Sequence, residues 1–201
     1  MKRNKISLYI ILAINIICYI YNICINGTKA LSGIKKHEII IVGGMSRDTN
    51  IAHIITSLFA HQSASHFIVN MVILIVLGHI ILDSYNTSEF LITYFMSGVL
   101  SNVYMLAIIN GGTALGASGC LFGLLGLMLV GALIPTKKTK KLSHIKGYVL
   151  GLVVIYIILS IVTISNGTNI YSHIVGFLIG IFIGLVIMII NKRRDKFERV
   201  K

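Results

Sequence analysis

Apolar residues along this chain collect into six long runs, near Ile6–Ile23, His66–Leu82, Phe90–Ile109, Ser118–Ile134, Tyr148–Ile164 and Ser172–Ile190. A helix needs about 17 to 25 such residues to cross a hydrocarbon core of roughly 30 Å. In lipid the backbone has to satisfy its own polar groups, and a helix does so within one segment. The pattern therefore predicts an all-α, polytopic membrane protein with six spans in a single domain over residues 1–201.

Composition agrees, because 56% hydrophobic and only 12% charged residues cannot cover a soluble surface. Charge then orients the spans, since short loops rich in Lys and Arg stay in the cytoplasm. With the N-terminus inside, fourteen of the eighteen basic residues fall in cytoplasmic segments: near Lys2–Lys5, in the Lys137–Lys146 loop, and in the Lys192–Lys201 tail. Both termini are expected in the cytoplasm of a bacterial cell membrane. A net charge of +12 is compatible with nucleic-acid binding in general, but here the charges flank spans instead of forming a folded face. No nucleic acid is expected. The same charges are expected to touch anionic lipid head groups. The basic start of the first span resembles a signal peptide, but it lacks a small-x-small site and is expected to be retained.

The connection from about Cys24 to Ser65 is the only one long enough to carry structure of its own. Its apolar stretch Ile39–Val42 is expected to lie in the membrane interface. The outer connections around Asn110–Leu115 and Ser165–Tyr171 are short turns of Asn, Gly and Thr. Cys18, Cys24 and Cys120 imply no disulfide framework and no metal pairing. The fourth run has only about 17 residues between Ser118 and Pro135, so its helix start is expected below the head groups. Unpaired N–H groups at that depth call for a polar cavity.

Polar residues in spans are costly and tend to be functional. His66 and Asn70 on the second run are i and i+4 and share a face. Ser118 opens the fourth run within Gly116-Ala117-Ser118-Gly119, and His173 opens the sixth. Gly116, Gly119, Gly123 and Gly126 on the fourth run and Gly176, Gly180 and Gly184 on the sixth form small-x-x-x-small patterns that let two helix backbones approach closely. Such packing brings Ser118 within reach of His173, a nucleophile beside its base. Taken singly, the glycine box reads as a packing patch, each histidine as an interhelical hydrogen bonder or relay member, and Asn70 as glue. Their joint placement, each on its own span, favours catalysis.

These motifs resemble the rhomboid intramembrane serine proteases: His61 through His66 to Asn70, Tyr94-Phe95-Met96-Ser97-Gly98, the Gly116–Gly126 segment, and His173-Ile174-Val175-Gly176 with Gly180. The resemblance covers roughly Ile51 to Ile190. It implies a six-helix rhomboid-like bundle and a dyad with Ser118 as nucleophile and His173 as general base. It implies an oxyanion hole formed by the side chains of His66 and Asn70 and the backbone N–H of Ser118. It also implies Phe122 stacked on the His173 ring, with Gly116, Gly119, Gly176 and Gly180 supporting the site. The chain departs from the family where a Trp-Arg pair in the first outer loop is replaced by Ala52-His53, where Asn169 stands for an Asp before the histidine, and in having no Trp.

The resemblance implies hydrolysis of peptide bonds in or near transmembrane segments of other membrane proteins, without a cofactor. The absence of an HExxH pattern and the presence of only six acids argue against a metal. His79 reads as structural at the far end of its span, and His37, His53 and His144 as loop residues. Two other classes compete. A non-catalytic rhomboid-like protein would bind transmembrane helices without cutting them, but such proteins typically lack the serine or the histidine. A small transporter would carry inverted repeats, and none is seen.

Overall fold

The computed structural model describes residues 5–108, 113–162 and 170–200. Among the described residues, ten helices and two short strands follow in the order α1 (Ile6–Asn26), α2 (Lys29–Ser32), α3 (Lys36–Ile41), β1 (Met45–Ser46), α4 (His53–Thr56), α5 (Ala64–Leu82), α6 (Thr87–Ile108), β2 (Thr113–Ala114), α7 (Ser118–Leu133), α8 (Lys140–His144), α9 (Lys146–Val162) and α10 (Ile170–Val200). Over the described residues, each of the six apolar runs falls in a separate helix, α1, α5, α6, α7, α9 and α10. Among the described residues, α1, α5, α6 and α10 are long and apolar enough to cross a membrane by themselves, and α7 and α9 are shorter apolar helices. The protein is a helical, polytopic membrane protein.

Helix α7 is the centre of the bundle. It is apolar on every side and buried without a break from Gly119 to Met128, as a helix enclosed by others must be. Its 16 residues give about 24 Å, less than a hydrocarbon thickness. The surrounding helices turn Ile17, Ile68, Val72, Ile158, Leu178 and Phe182 outward, which suits lipid as solvent.

Glycines bring α7 and α10 together. A Cβ at Gly176 would strike the Gly119 carbonyl, one at Gly180 the Gly123 carbonyl, and one at Gly126 the Phe177 carbonyl. These two backbones touch with no side chain between them, as the small-residue pattern predicts. Gly123 also accommodates the Ser97 hydroxyl from α6.

One end of the bundle gathers polar contacts. Lys5 pairs with Asp83 at 3.0 Å, Lys138 with Glu89 at 2.5 Å, and the Lys137 N–H donates to Asp195 Oδ2 at 3.1 Å. Helix α10 continues past the expected end at Ile190 through the basic tail. Lys and Arg are good helix formers and favour a helix C-terminus, so the loss of hydrophobicity ends the apolar run without ending the helix.

The connection between α1 and α5 is a small folded layer. Ile34, Ile39, Val42 and Ala60 form its own core, with Leu115 packed against it. Ile39 and Val42 thus turn inward, and Ile41 of the same stretch is exposed. The expected interfacial stretch Ile39–Val42 therefore places Ile39 and Val42 in the protein's own core and leaves Ile41 exposed. Glu38 fastens the layer by accepting from the Lys35 N–H at 2.7 Å and from Lys29 Nζ at 2.9 Å. The Lys35 amide first, and Lys29 second, hold its carboxyl below the usual range. Helix α4 opens with His53, whose Nδ1 lies 2.8 Å from the Gly44 carbonyl, so this side chain ties the loop to itself.

Candidate active site

Ser118 is the first residue of α7, and the chain reaches it through a braced approach. Strand β2 pairs antiparallel with β1, Met45 opposite Ala114 and Ser46 opposite Thr113. The Gly116 N–H then donates to the Ser57 carbonyl at 2.7 Å, and Asn102 Nδ2 donates to the Ile54 carbonyl and to Ser57 Oγ at 2.8 and 2.9 Å. Gly116 has φ +108°, a region that side-chain-bearing residues avoid. A Cβ there would lie 2.8 Å from His66 Cε1, 2.9 Å from His66 Nε2 and 3.6 Å from Asn70 Nδ2.

His66 and Asn70 therefore converge over the turn that delivers Ser118, as their i, i+4 spacing predicts. Ser63 caps α5 by accepting the His66 N–H at 3.3 Å, which sets the start of that face. Asn70 is 2% exposed, and among the described residues its Nδ2 has no hydrogen-bond partner. His61 lies under His66, ring centroids 5.2 Å apart, with its Nδ1 3.1 Å from the Phe59 carbonyl. Burial, and secondarily His66, push the His61 pKa down to about 3. Asn22 of α1 donates to the His61 carbonyl at 2.8 Å and fixes this corner.

Across the cavity, His173 Nε2 is 2.9 Å from Ser118 Oγ. Its Nδ1 is 2.5 Å from Ser160 Oγ on α9. The ring stacks on Phe122, centroids 4.5 Å apart and planes 20° apart, and Phe122 stacks in turn on Tyr156 at 4.3 Å and 10°. With Ser160 accepting from Nδ1–H, Nε2 carries the lone pair and accepts the Ser118 hydroxyl proton in a hydrogen bond.

These groups line one cavity of about 200 Å³, together with Gln62, Asn102, Tyr156 and Ser160. Ser118, His173, His66 and Asn70 all reach it, and Phe122 is one turn below Ser118. Gly119, Gly176 and Gly180 set the α7–α10 approach that carries His173 to Ser118. His79 stays at the other end of α5, 3.2 Å from the Tyr9 hydroxyl. Asn169 lies outside the described residues, as do positions 109–112 and 163–169 of the two turns expected beside the site and the last positions of the third and fifth apolar runs. Among the described residues no group of three potential metal ligands forms.

Sequence reasoning missed Ser160 and Tyr156. The signal was present, since they stand i and i+4 as the polar-tipped residues of an otherwise apolar stretch of α9.

The rhomboid domain family matches residues 48–190. The chain belongs to the rhomboid family. Among curated proteins it is similar to the rhomboid-like protease 3 of Toxoplasma gondii, 31% identical over 75 residues, which is 37% of this chain and 28% of the relative. The chain thus matches little more than a quarter of that relative's length. The rhomboid match begins inside the first long connection and ends in α10 before the basic tail. It contains Ser118, His173, His66 and Asn70, and α1 lies outside it.

Proposed function

We propose that this rhomboid protein is an intramembrane serine endopeptidase that cuts peptide bonds in or near transmembrane segments of other membrane proteins. The observation that carries the reading is the 2.9 Å separation of Ser118 Oγ and His173 Nε2, at the start of a helix that opens into the polar cavity. The name of the Toxoplasma relative, a rhomboid-like protease, points the same way.

In this reading Ser118 Oγ attacks the scissile carbonyl as His173 Nε2 takes its proton. The tetrahedral oxyanion accepts hydrogen bonds from the Ser118 N–H, Asn70 Nδ2 and His66. The orphaned Asn70 donor supports this assignment, because a buried amide without a partner costs free energy that a developing anion recovers. His173 then protonates the leaving amine, and water hydrolyses the acyl-enzyme by the same route. No acid completes a triad. Ser160 accommodates the proton on Nδ1, and the Phe122 and Tyr156 rings hold the imidazole plane. No cofactor or metal takes part.

The six long helices form one membrane domain in a bacterial cell membrane, with both termini cytoplasmic and the cavity toward the outer face. The polar end that gathers Lys5, Lys138 and Asp195 lies opposite the cavity and supports this orientation. A non-catalytic, helix-binding rhomboid-like protein is the second reading. The retained serine and histidine at hydrogen-bond distance favour the enzyme. A fluorophosphonate probe decides between them: the purified protein should be labelled, the Ser118→Ala protein should not, and absence of labelling of a folded native protein would overturn the proposal.

A further inference from the structure

A second concave feature lies far from the cavity, at the opposite end of α5 and α9. It is an open groove of about 830 Å³ lined by Ile80 of α5 and by His144, Ile145, Gly147, Tyr148, Gly151, Leu152 and Ile155. Its floor is bare helix. A Cβ at Gly147 or Gly151 would meet nothing within 4 Å, in contrast to the glycines of α7 and α10. Positions 147, 151 and 155 follow one face of α9, so the groove runs about 12 Å along the helix.

The mouth of the groove is basic. Lys140 and Lys141 stand four and three residues before His144, on the face of α8 that leads to it, and Lys146 sits between two lining residues. All three lysines are exposed, and none pairs with an acid among the described residues. Tyr148 is 80% exposed beside them, placed as interfacial tyrosines are at head-group level.

Charge decides among the possible occupants. A transmembrane helix entering the groove would bring the Lys and Arg that flank cytoplasmic helix ends, and a second copy of this chain would bring its own lysine loop. Both meet like charge. An anionic phospholipid meets opposite charge at the head group and an apolar channel at the acyl chain. We propose that the α5–α9 groove binds an anionic phospholipid, its acyl chain along Gly147, Gly151 and Ile155 and its phosphate among Lys140, Lys141 and Lys146. The choice of occupant rests on the proposed orientation, with this end cytoplasmic, and not on the protease reading.

The chain contains no tryptophan, so Tyr148→Trp places a single fluorophore at the mouth. The full-length protein is reconstituted in phosphatidylcholine vesicles containing increasing fractions of phosphatidylglycerol with brominated acyl chains, or of brominated phosphatidylcholine. Half-maximal quenching is expected at a mole fraction about fivefold lower for phosphatidylglycerol, the attraction of roughly one surface lysine or more. Lys140→Gln, Lys141→Gln and Lys146→Gln together should bring the two curves into coincidence. Gly151→Leu, or independently Gly147→Leu, fills the floor but keeps the lysines and should also abolish the preference. Coincident curves for the parent protein would overturn the proposal. A preference that survives both leucine variants would show diffuse surface attraction instead of a site. Loss of quenching at high protein-to-lipid ratio, prevented by Gly151→Leu, would assign the groove to a second copy and equally overturn it.

Discussion

The Nδ1 atom of His173 stands 2.5 Å from the hydroxyl of Ser160, on a helix that carries no other proposed site residue except Tyr156. A hydroxyl cannot supply the charge of an aspartate, and because it can donate or accept it accommodates a proton on Nδ1 without imposing it. With the proton there, the imidazole presents its Nε2 lone pair to Ser118.

Ser160→Ala should lower kcat by about fivefold, the worth of one neutral hydrogen bond of about 1 kcal/mol. Ser160→Thr should restore most of it, and KM should change little. Steady-state kinetics on a transmembrane test substrate, with thermal unfolding of the same preparations, check both. Equal losses in the alanine and threonine proteins would point to packing alone.

Ser118→Ala and His173→Ala should each abolish cleavage with expression and insertion near those of the parent. Ser118→Ala removes one hydroxyl at the cavity and should leave Tm near the parental value, whereas His173 is 6% exposed and stacked on Phe122, so His173→Ala should also lower Tm. Residual cleavage by the Ser118→Ala protein at parental rate would refute the dyad.

Asn70→Ala and His66→Ala should each reduce kcat by about 10² to 10³ with a small effect on KM, as expected for donors that act on charge present only in the transition state. If the two residues served only as interhelical glue, Tm would fall and the folded fraction would turn over normally. Kinetics and unfolding on matched samples distinguish these outcomes.

Gly180→Ala should destabilise by about 1 to 3 kcal/mol through overpacking, because its Cβ would strike the Gly123 carbonyl, which belongs to backbone and cannot swing away. Gly151→Ala should be neutral or slightly stabilising, since its Cβ enters open space and alanine is the better helix former. Unfolding midpoints in detergent report the contrast.

His61 supplies a pH dependence with a defined sign. Its folded pKa of about 3 is below the ordinary 6.5, so the unfolded chain binds the proton more readily and stability falls as pH drops below about 6.5 toward 3. Above that range the contribution is fully present. Tm measured against pH should decline less steeply for His61→Phe than for the parent.

Several of these features were legible before any fold was known. The six apolar helices follow from length and hydrophobicity, because a continuous apolar run of about 17 or more residues suits a spanning helix and not the short alternating strands of a barrel. The α7–α10 contact follows from glycine spacing, which only a close helix pair uses twice over. Ser118, His173, His66 and Asn70 stood out because polar groups are expensive in apolar spans. What the sequence could not contain were relations between elements that have no shared local pattern. Ser160 and Tyr156 carried a spacing signal, i and i+4 in an apolar stretch, but what they touch was decided only when α9 was set beside His173 and Phe122. The β1–β2 pair joins segments almost 70 residues apart through two residues each, too short for any periodicity. Ile39 and Val42 look interfacial by composition, and only the Ile34 and Ala60 side chains brought over them turn that face inward. Hydrophobicity is a property of each residue and survives in the linear chain, whereas register, orientation and which hydroxyl meets which imidazole are settled only when the helices pack.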